Sequence, residues 1–285
     1  MKKQSLKQVI TSGDMIVAPG IYDMISALIA DQMGFGALYV TGYGTVASYM
    51  GIPDAGLATY TDMLNRISRF SELTTTPIIA DADTGYGGLL NVANTVKGYE
   101  KAGIAAIQLE DQEFPKKCGH TPGRKVIPAE DMVQKIQVAC DSRKSDEFLI
   151  VARTDARSSL GIDEAIERAQ LYADAGADII FVESPESEEE MKKICDSVNK
   201  PTLANLVPGG RTPMLPARQL QEIGYAIAIH PVTGFLAAAR SLEKSYSCLR
   251  EGGDLDKSLD LYPFAKFNEL IGFPEIWDFD KRYAK

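Results

Sequence analysis

The stretch Lys116-Lys117-Cys118-Gly119-His120 sets a thiol beside two amines and an imidazole. Neighbouring positive charge stabilises a thiolate, and a glycine next to it lets the backbone close tightly on a ligand. Cys118 therefore reads as a reactive group, whereas Cys140, Cys195 and Cys248 fall in helical patterns and read as structural. The four cysteines are widely spaced and contain no CxxC pair, so neither a zinc site nor a disulfide framework is expected. A second set of candidates is acidic. Asp81-Ala82-Asp83-Thr84-Gly85 and Glu110-Asp111 each close a short apolar run. Carboxylates brought together repel one another unless a cation lies among them. All-oxygen ligation favours Mg²⁺, or Mn²⁺, over zinc, and Mg²⁺ keeps several waters, so only one or two carboxylates need touch it. The other readings are a solvated turn or the opening of a calcium loop. An EF-hand is disfavoured, because its last ligand position holds Val92 and the segment before it has the pattern of a strand.

These groups meet only if the chain returns to one face, and its repeats do that. Residues 33–41, 102–110, 175–183 and 223–231 align without gaps around Gly34, Gly103, Gly176 and Gly224. Glycine just past a helix supplies a left-handed residue, and the unbroken apolar run behind it reads as a strand buried on both faces. Residues 77–81, 148–152 and 201–205 read as strands without that glycine, and Ile16-Val17-Ala18 makes eight. Helical patterns lie between them, as at 90–102, 129–140 and 162–175, the last with a cap expected at Ser158 or Ser159. Such alternation predicts a parallel sheet with right-handed crossovers, closed as a (β/α)₈ TIM barrel; a doubly wound sheet is the second choice. The active site of a barrel lies at the C-terminal strand ends. Here those ends are Thr41-Gly42-Tyr43, Asp81-Ala82-Asp83, Glu110-Asp111, Arg153-Thr154-Asp155, Glu183-Ser184, Asn205 and His230. The connection from Asp111 to Pro128, which carries Cys118, has the length of an active-site lid.

One barrel domain over 1–285 is the expectation, with helical patterns at 235–251, 255–270 and 274–283 left over for subunit packing from about residue 233. With 285 residues, 45% hydrophobic and 24% charged, the chain can bury a large core. A net charge of −9 without a Lys/Arg-rich block argues against nucleic acid. Its apolar runs are too short to span a bilayer, and the charged N-terminal stretch does not resemble a signal peptide, so a cytoplasmic protein is expected.

Taken together, Asp81-Ala82-Asp83-Thr84-Gly85, Glu110-Asp111-Gln112, Lys116-Lys117-Cys118-Gly119-His120 and Ala152-Arg153-Thr154-Asp155-Ala156 resemble the isocitrate lyase/phosphoenolpyruvate mutase superfamily, over essentially the whole chain. The cysteine-bearing loop is similar to the lyase branch; mutases carry an asparagine-containing loop there. The resemblance implies Mg²⁺ bound directly by Asp83, with Asp54, Asp81 and Glu110 acting largely through water. It implies an α-keto-acid moiety held by Thr41, Gly42, Tyr43 and Arg153, Cys118 as general acid, Glu183 and Asn205 near the substrate, and Gly119 and His120, beside Lys116, in a gating loop. Tyr43, Asp54 and a water on the metal stay open as the base. A homotetramer built from helix-swapped dimers is also implied.

Within the superfamily, methylisocitrate lyases bind a third carboxylate with two arginines where this chain has Leu236 and Phe267. Without them that carboxylate would be buried unpaired, at a cost on the order of a few kcal/mol. Arg211 or Arg240 could substitute. Oxaloacetate hydrolases carry serine at the position of Pro231. The overall wording most resembles the 2,3-dimethylmalate lyase branch, which implies a metal-dependent carbon–carbon lyase releasing pyruvate and propionate from a small 2-hydroxy dicarboxylate. The alternatives are 2-methylisocitrate lyase, giving pyruvate and succinate, and a hydrolase of oxaloacetate or phosphonopyruvate.

Overall fold

The computed structural model describes residues 5–119, 123–254 and 259–284. Each apolar run forms a strand: β1 (Ile16–Ile21), β2 (Leu38–Val40), β3 (Ile78–Asp81), β4 (Ala106–Glu110), β5 (Leu149–Thr154), β6 (Ile179–Val182), β7 (Leu203–Asn205) and β8 (Ile227–His230). All neighbours pair in parallel in the order β6-β5-β4-β3-β2-β1-β8-β7. A parallel bridge between Ile180 and Thr202 joins the two ends. The fold is the (β/α)₈ barrel that the alternation calls for.

Successive residues of a strand face opposite ways, and here each face has its own apolar core. Ile16, Ala18, Tyr39, Ile79, Ala106, Leu149, Val151, Ile179, Phe181, Leu203, Ile227 and Ile229 form the interior of the barrel, joined by Leu6 from α1 (Leu6–Thr11). The alternate residues, among them Leu38, Val40, Ile78, Ile107, Ile150 and Ile180, pack outward against the helices. The helices are α2 (Met24–Asp31), α3 (Gly42–Met50), α4 (Tyr60–Leu73), α5 (Leu89–Lys101), α6 (Ala129–Ser142), α7 (Arg157–Leu160), α8 (Ile162–Asp174), α9 (Glu188–Ser197) and α10 (Ala217–Ile223). In α8 the buried residues Ala165, Ile166, Ala169, Tyr172 and Ala173 recur at helical spacing, and Asp163 and Glu164 in the first turn suit the positive end of the helix dipole. Burying one large apolar side chain of this kind contributes about 1.5–3 kcal/mol.

Gly34, Gly103, Gly176 and Gly224 all have positive φ, so the residues that mark the repeat in sequence do turn each helix into its strand. Two expectations are corrected. Neither Ser158 nor Ser159 caps α8: both lie inside α7, and Gly161 at φ 94° starts α8 without a side-chain cap. Residues 255–270 do not form one helix. Residues 255–258 lie outside the described residues, 259–263 are not helical, and the helix begins after Pro263, a residue that terminates a preceding helix and opens the next.

The chain divides into two compact units, Met1–Gly234 and Phe235–Lys285. The first contains the barrel. The second contains most of α11 (Thr233–Arg250), with α12 (Phe264–Leu270) and α13 (Phe273–Tyr283). Its helices are strongly apolar on the outside: Tyr246, Leu249, Phe264, Ile276 and Phe279 are each more than half exposed. No helix among the described residues is long and apolar enough to cross a membrane.

Candidate active site

The polar residues continue the inward-facing parity of the barrel interior. Asp81 follows Ile79, Gln108 follows Ala106, Glu110 follows Gln108, Arg153 follows Val151, Glu183 follows Phe181, and Asn205 follows Leu203, each two residues on. A strand therefore cannot end in these residues without aiming them into the C-terminal mouth of the barrel. All six are buried. Register sets Asp81 beside Gln108 and Glu110 beside Arg153.

On one side the carboxylates gather. Asp81 is held by neutral donors: Oδ1 accepts from Asp83 N at 3.0 Å and Gln108 Nε2 at 3.4 Å, and Oδ2 accepts from Gly42 N at 3.3 Å. Gln108 Oε1 in turn accepts from Tyr39 OH at 2.9 Å. Thr41 caps α3, its side chain accepting from Gly44 N, so the Thr41-Gly42-Tyr43 strand end of the sequence reading is the opening turn of a helix. At Gly42 a Cβ would lie 2.6 Å from Asp81 Oδ2 and 3.6 Å from Asp83 Oδ1, so glycine is needed for both acids to approach. Asp83 itself takes the left-handed conformation, φ 50°, uncommon outside glycine and found where function fixes the chain.

Lys116 reaches in from the long connection. Its Nζ lies 2.5 Å from Asp54 Oδ1 and 2.7 Å from Asp83 Oδ1. Burial works against its charge, but Asp83, Glu110 and Asp54 together outweigh burial and hold its pKa well above the usual lysine value. Burial pushes the Asp83 carboxyl up to about 7, against the pull of Lys116 and with the repulsion of Asp81 and Asp54. Burial likewise raises Glu110 well above the carboxylate range, opposed by Arg153. Glu110 Oε1 is buried with no hydrogen-bond partner among the described residues.

These residues fit a hard divalent cation. The donors are all oxygen, Glu110 Oε1 is a buried carboxylate oxygen without a hydrogen-bond partner among the described residues, and one ammonium already pairs with both Asp54 and Asp83. Among the described residues no three His, Cys, Asp or Glu side chains are grouped so as to hold a metal ion by themselves. Mg²⁺ needs only one or two carboxylates beside its waters.

On the other side Arg153 is the hub. It donates to Asp155 through Nε at 2.9 Å and Nη2 at 3.0 Å, with Nη1 3.3 Å from Glu110 and Nη2 3.2 Å from Glu183. Asn205 Nδ2 donates to Glu183 Oε2 at 3.0 Å. Burial pushes the Asp155 carboxyl up, but Arg153 and Arg124 outweigh it and keep the pKa below the ordinary value. Asp111, at the end of β4, accepts from Thr154 Oγ1 at 2.7 Å, Tyr172 OH at 2.8 Å and Asp155 N at 2.9 Å, and braces the same strand end from behind.

The connection from β4 to α6 spans both halves. Gln112 clamps its first arm, donating to Lys117 O at 2.8 Å and accepting from Lys117 N at 2.9 Å. Gly119 then lies against the Arg153–Glu183 pair: a Cβ there would stand 2.7 Å from Glu183 Oε2, and closer still to Arg153 Nη2. Ser184 Oγ donates to Gly119 O at 3.2 Å. Cys118, half-buried, is thus carried between Lys116, at the Asp54–Asp83 pair, and Gly119, at the Arg153–Glu183 pair. The expected site residue His120 lies outside the described residues.

Other expected residues sit as follows. Tyr43 is 40% exposed in the first turn of α3. Pro231 is buried with its backbone against Gly20, where a Cβ would collide. His230 is half-buried, and burial lowers its pKa. Leu236 and Phe267 belong to the second unit, Leu236 exposed on α11 and Phe267 half-buried on α12, edge-on to Tyr262. The sequence reading missed Gln108 and Arg124. Gln108 could have been found from its parity with Glu110; Arg124 carries no such signal.

A barrel with acids and an arginine converging at its C-terminal mouth, spanned by one loop, has the arrangement of a TIM-barrel enzyme's active site. The chain belongs to the phosphoenolpyruvate phosphomutase family, whose pattern matches residues 6–249. It is 46% identical over 280 residues to 2,3-dimethylmalate lyase of Eubacterium barkeri, covering 98% of this chain and 97% of the relative. It is 44% identical over 281 residues to 2-methylisocitrate lyase of Aeropyrum pernix, covering 98% and 89%. Among solved structures, a 2,3-dimethylmalate lyase described as a PEP mutase/isocitrate lyase superfamily member superposes with a TM-score of 0.89 at 34% identity, covering 100% and 96%. Phosphonopyruvate hydrolase in complex with oxalate and Mg²⁺ superposes with a TM-score of 0.88 at 29% identity, covering 100% of both chains.

Proposed function

We propose that this chain is a Mg²⁺-dependent carbon–carbon lyase that cleaves 2,3-dimethylmalate to pyruvate and propionate. The observation that carries the lyase reading is the loop itself: it holds Cys118 between Lys116, paired with Asp54 and Asp83, and Gly119, pressed on Arg153 and Glu183. In this reading the thiol stands between the end of the site suited to a metal and the end suited to a carboxylate.

In this reading Asp83 would touch the metal, and Asp54, Asp81 and Glu110 would act largely through water. When bound, Mg²⁺ or Mn²⁺ supplies Lewis-acid polarisation of the substrate's C1 carboxylate and C2 oxygen. Arg153 holds the keto-acid end, with Thr41, Gly42 and Tyr43 at the opening of α3 alongside. Its guanidinium supplies positive charge to that end, and Asp155, Glu110 and Glu183 keep it oriented. Breaking C2–C3 leaves carbanion density beside the second carboxylate, and Cys118 delivers the proton there as general acid, giving propionate. Tyr43 and Asp54 are the side-chain candidates for the base at the C2 hydroxyl. Closure of the loop, with Gly119 and His120 in it, excludes water from the reacting carbons.

The substrate choice rests on the 2,3-dimethylmalate lyase relative and on Leu236 and Phe267, apolar where a third carboxylate would need arginine. The 2-methylisocitrate lyase relative, at nearly the same identity, supports that substrate as the second reading. A cytoplasmic homotetramer of helix-swapped dimers, with 1–285 as one domain, belongs to the same proposal. The exposed apolar residues of α11, α12 and α13 support the subunit-packing part of it.

The test is pyruvate release from racemic 2,3-dimethylmalate with and without Mg²⁺, beside the same assay on 2-methylisocitrate. Metal-dependent turnover of dimethylmalate alone supports the proposal. Preference for methylisocitrate overturns the specificity argument and keeps the lyase. Turnover of neither refutes both.

A further inference from the structure

Arg124 lies on the return arm of the Cys118 connection and is 6% exposed. That arm pairs with the outgoing one: Glu113 N donates to Lys125 O at 2.9 Å, Gln112 bridges Val126, and Ile127 N donates to Asp111 O at 2.9 Å. Arg124 then leaves the loop altogether. Its Nη1 donates to Asp155 Oδ1 at 2.5 Å and its Nη2 to Ser158 Oγ at 2.5 Å, and its buried Nε has no partner among the described residues. Asp155 is also the residue that takes Arg153 Nε and Nη2. One wholly buried carboxylate thus joins two guanidinium groups, one from the loop and one from the floor of the site.

We propose that Arg124 is a positioning residue for the reaction: by fastening the return arm to Asp155 it sets where Cys118 and Gly119 stand over Arg153 and Glu183. The argument rests on the lyase reading above. The two arms are hydrogen-bonded to each other, so an anchor on one fixes the other. On the outgoing side, the hydrogen bond from Ser184 Oγ to Gly119 O holds the tip, and Lys116 holds the base through Asp54 and Asp83. On the return side, among the described polar side-chain contacts of residues 123–126, Arg124 alone reaches the strand ends, while Val126 packs against the outer core. Removing its guanidinium takes nothing from Arg153, which keeps Asp155, Glu110 and Glu183. Substrate recognition and thiol placement should therefore separate. A proton donor works only within hydrogen-bond reach, and a misplacement of about 1 Å costs about 10²-fold in rate.

The experiment compares Arg124→Ala and Arg124→Lys with the wild-type enzyme in kcat, KM, Tm and the rate at which iodoacetamide alkylates Cys118, followed by peptide mapping without substrate. The expected result for Arg124→Ala is a fall in kcat of about 10²-fold with KM within about threefold, and Cys118 alkylated several-fold faster. Millimolar guanidinium should restore part of the lost kcat by filling the vacated place, and Arg124→Lys, with one donor direction in place of a fork, should fall between. A lower Tm with kcat per folded molecule unchanged and no guanidinium rescue would make Arg124 merely structural and overturn the proposal. The alkylation rate needs no substrate. An unaltered rate overturns the positioning role even if dimethylmalate proves to be the wrong substrate, and an accelerated rate upholds it in that case.

Discussion

Replacing Gly119 by alanine tests the close approach on which the site depends. Gly119 does not have a positive φ, so alanine brings no backbone strain and restricts the unfolded chain, a stabilising effect of about 0.4–1 kcal/mol. The penalty is local. An ordinary Cβ contact is 3.4 Å or more, whereas this Cβ would stand 2.7 Å from Glu183 Oε2, a shortfall of about 0.7 Å, with a shorter contact to Arg153 Nη2 beside it. Neither partner yields freely, because Glu183 is tied to Asn205 and Arg153 to Asp155 and Glu110. The loop must rise instead, carrying Cys118 with it by most of an ångström. Such a displacement costs roughly 30- to 100-fold in kcat/KM, about 2–2.7 kcal/mol of transition-state stabilisation. The assay is pyruvate release with Mg²⁺ present, beside a thermal melt. Gly88→Ala is the control, since nothing lies within 4 Å of a Cβ there and its φ is ordinary. Activity of Gly119→Ala within about threefold of wild type, at unchanged Tm, would show that the loop does not have to sit against Arg153 and Glu183 for turnover.

Three further outcomes are expected. The Asp83 carboxyl, raised to about 7 by burial from a normal value near 3.8, binds its proton more tightly folded than unfolded. Metal-free stability should thus decline as pH rises from about 4 to about 7. A metal competes for the same oxygens, so Mn²⁺ affinity measured by calorimetry should gain up to about tenfold per pH unit up to about 7 and flatten above it; a flat profile from pH 5.5 to 8 contradicts the assignment of Asp83. Cys118→Ser should keep the melting temperature and lose about 10²–10⁴-fold in kcat, the usual range for a general acid, and undiminished turnover would move the acid elsewhere. Gly42→Ala sets a Cβ 2.6 Å from Asp81 Oδ2, so Mn²⁺ binding followed by electron paramagnetic resonance should weaken at least tenfold while the barrel stays folded; unchanged affinity would detach Asp81 from the metal.

What could be read from sequence and what could not divide along one physical line. Strands buried on both faces are unbroken apolar runs, and left-handed glycines mark where helices end, so Gly34, Gly103, Gly176 and Gly224 sufficed to place half the barrel. The period of two then carries a polar residue of inward parity at a strand end into the mouth, which is why Asp81, Glu110, Arg153, Glu183 and Asn205 are legible in the sequence as a set. Signals that depend on partners distant in sequence were not legible. Ser158 has the type of a helix cap, and its hydroxyl is instead taken by Arg124, 34 residues away. Thr41-Gly42-Tyr43 looks like the frayed end of a strand, but Thr41 caps a helix that starts there at once, and the carboxylate of Asp81 takes the Gly42 amide from 39 residues away. Periodicity reports which face a residue occupies, because that is set by its own backbone. It is silent on charge pairing, because Asp155 has the same local sequence whether it serves one arginine or two. The tie from Asp155 to both Arg153 and Arg124 is nonetheless what makes the loop and the floor of the site a single hydrogen-bonded body, and so the part of the chemistry invisible in the sequence is the part that sets the position of the thiol.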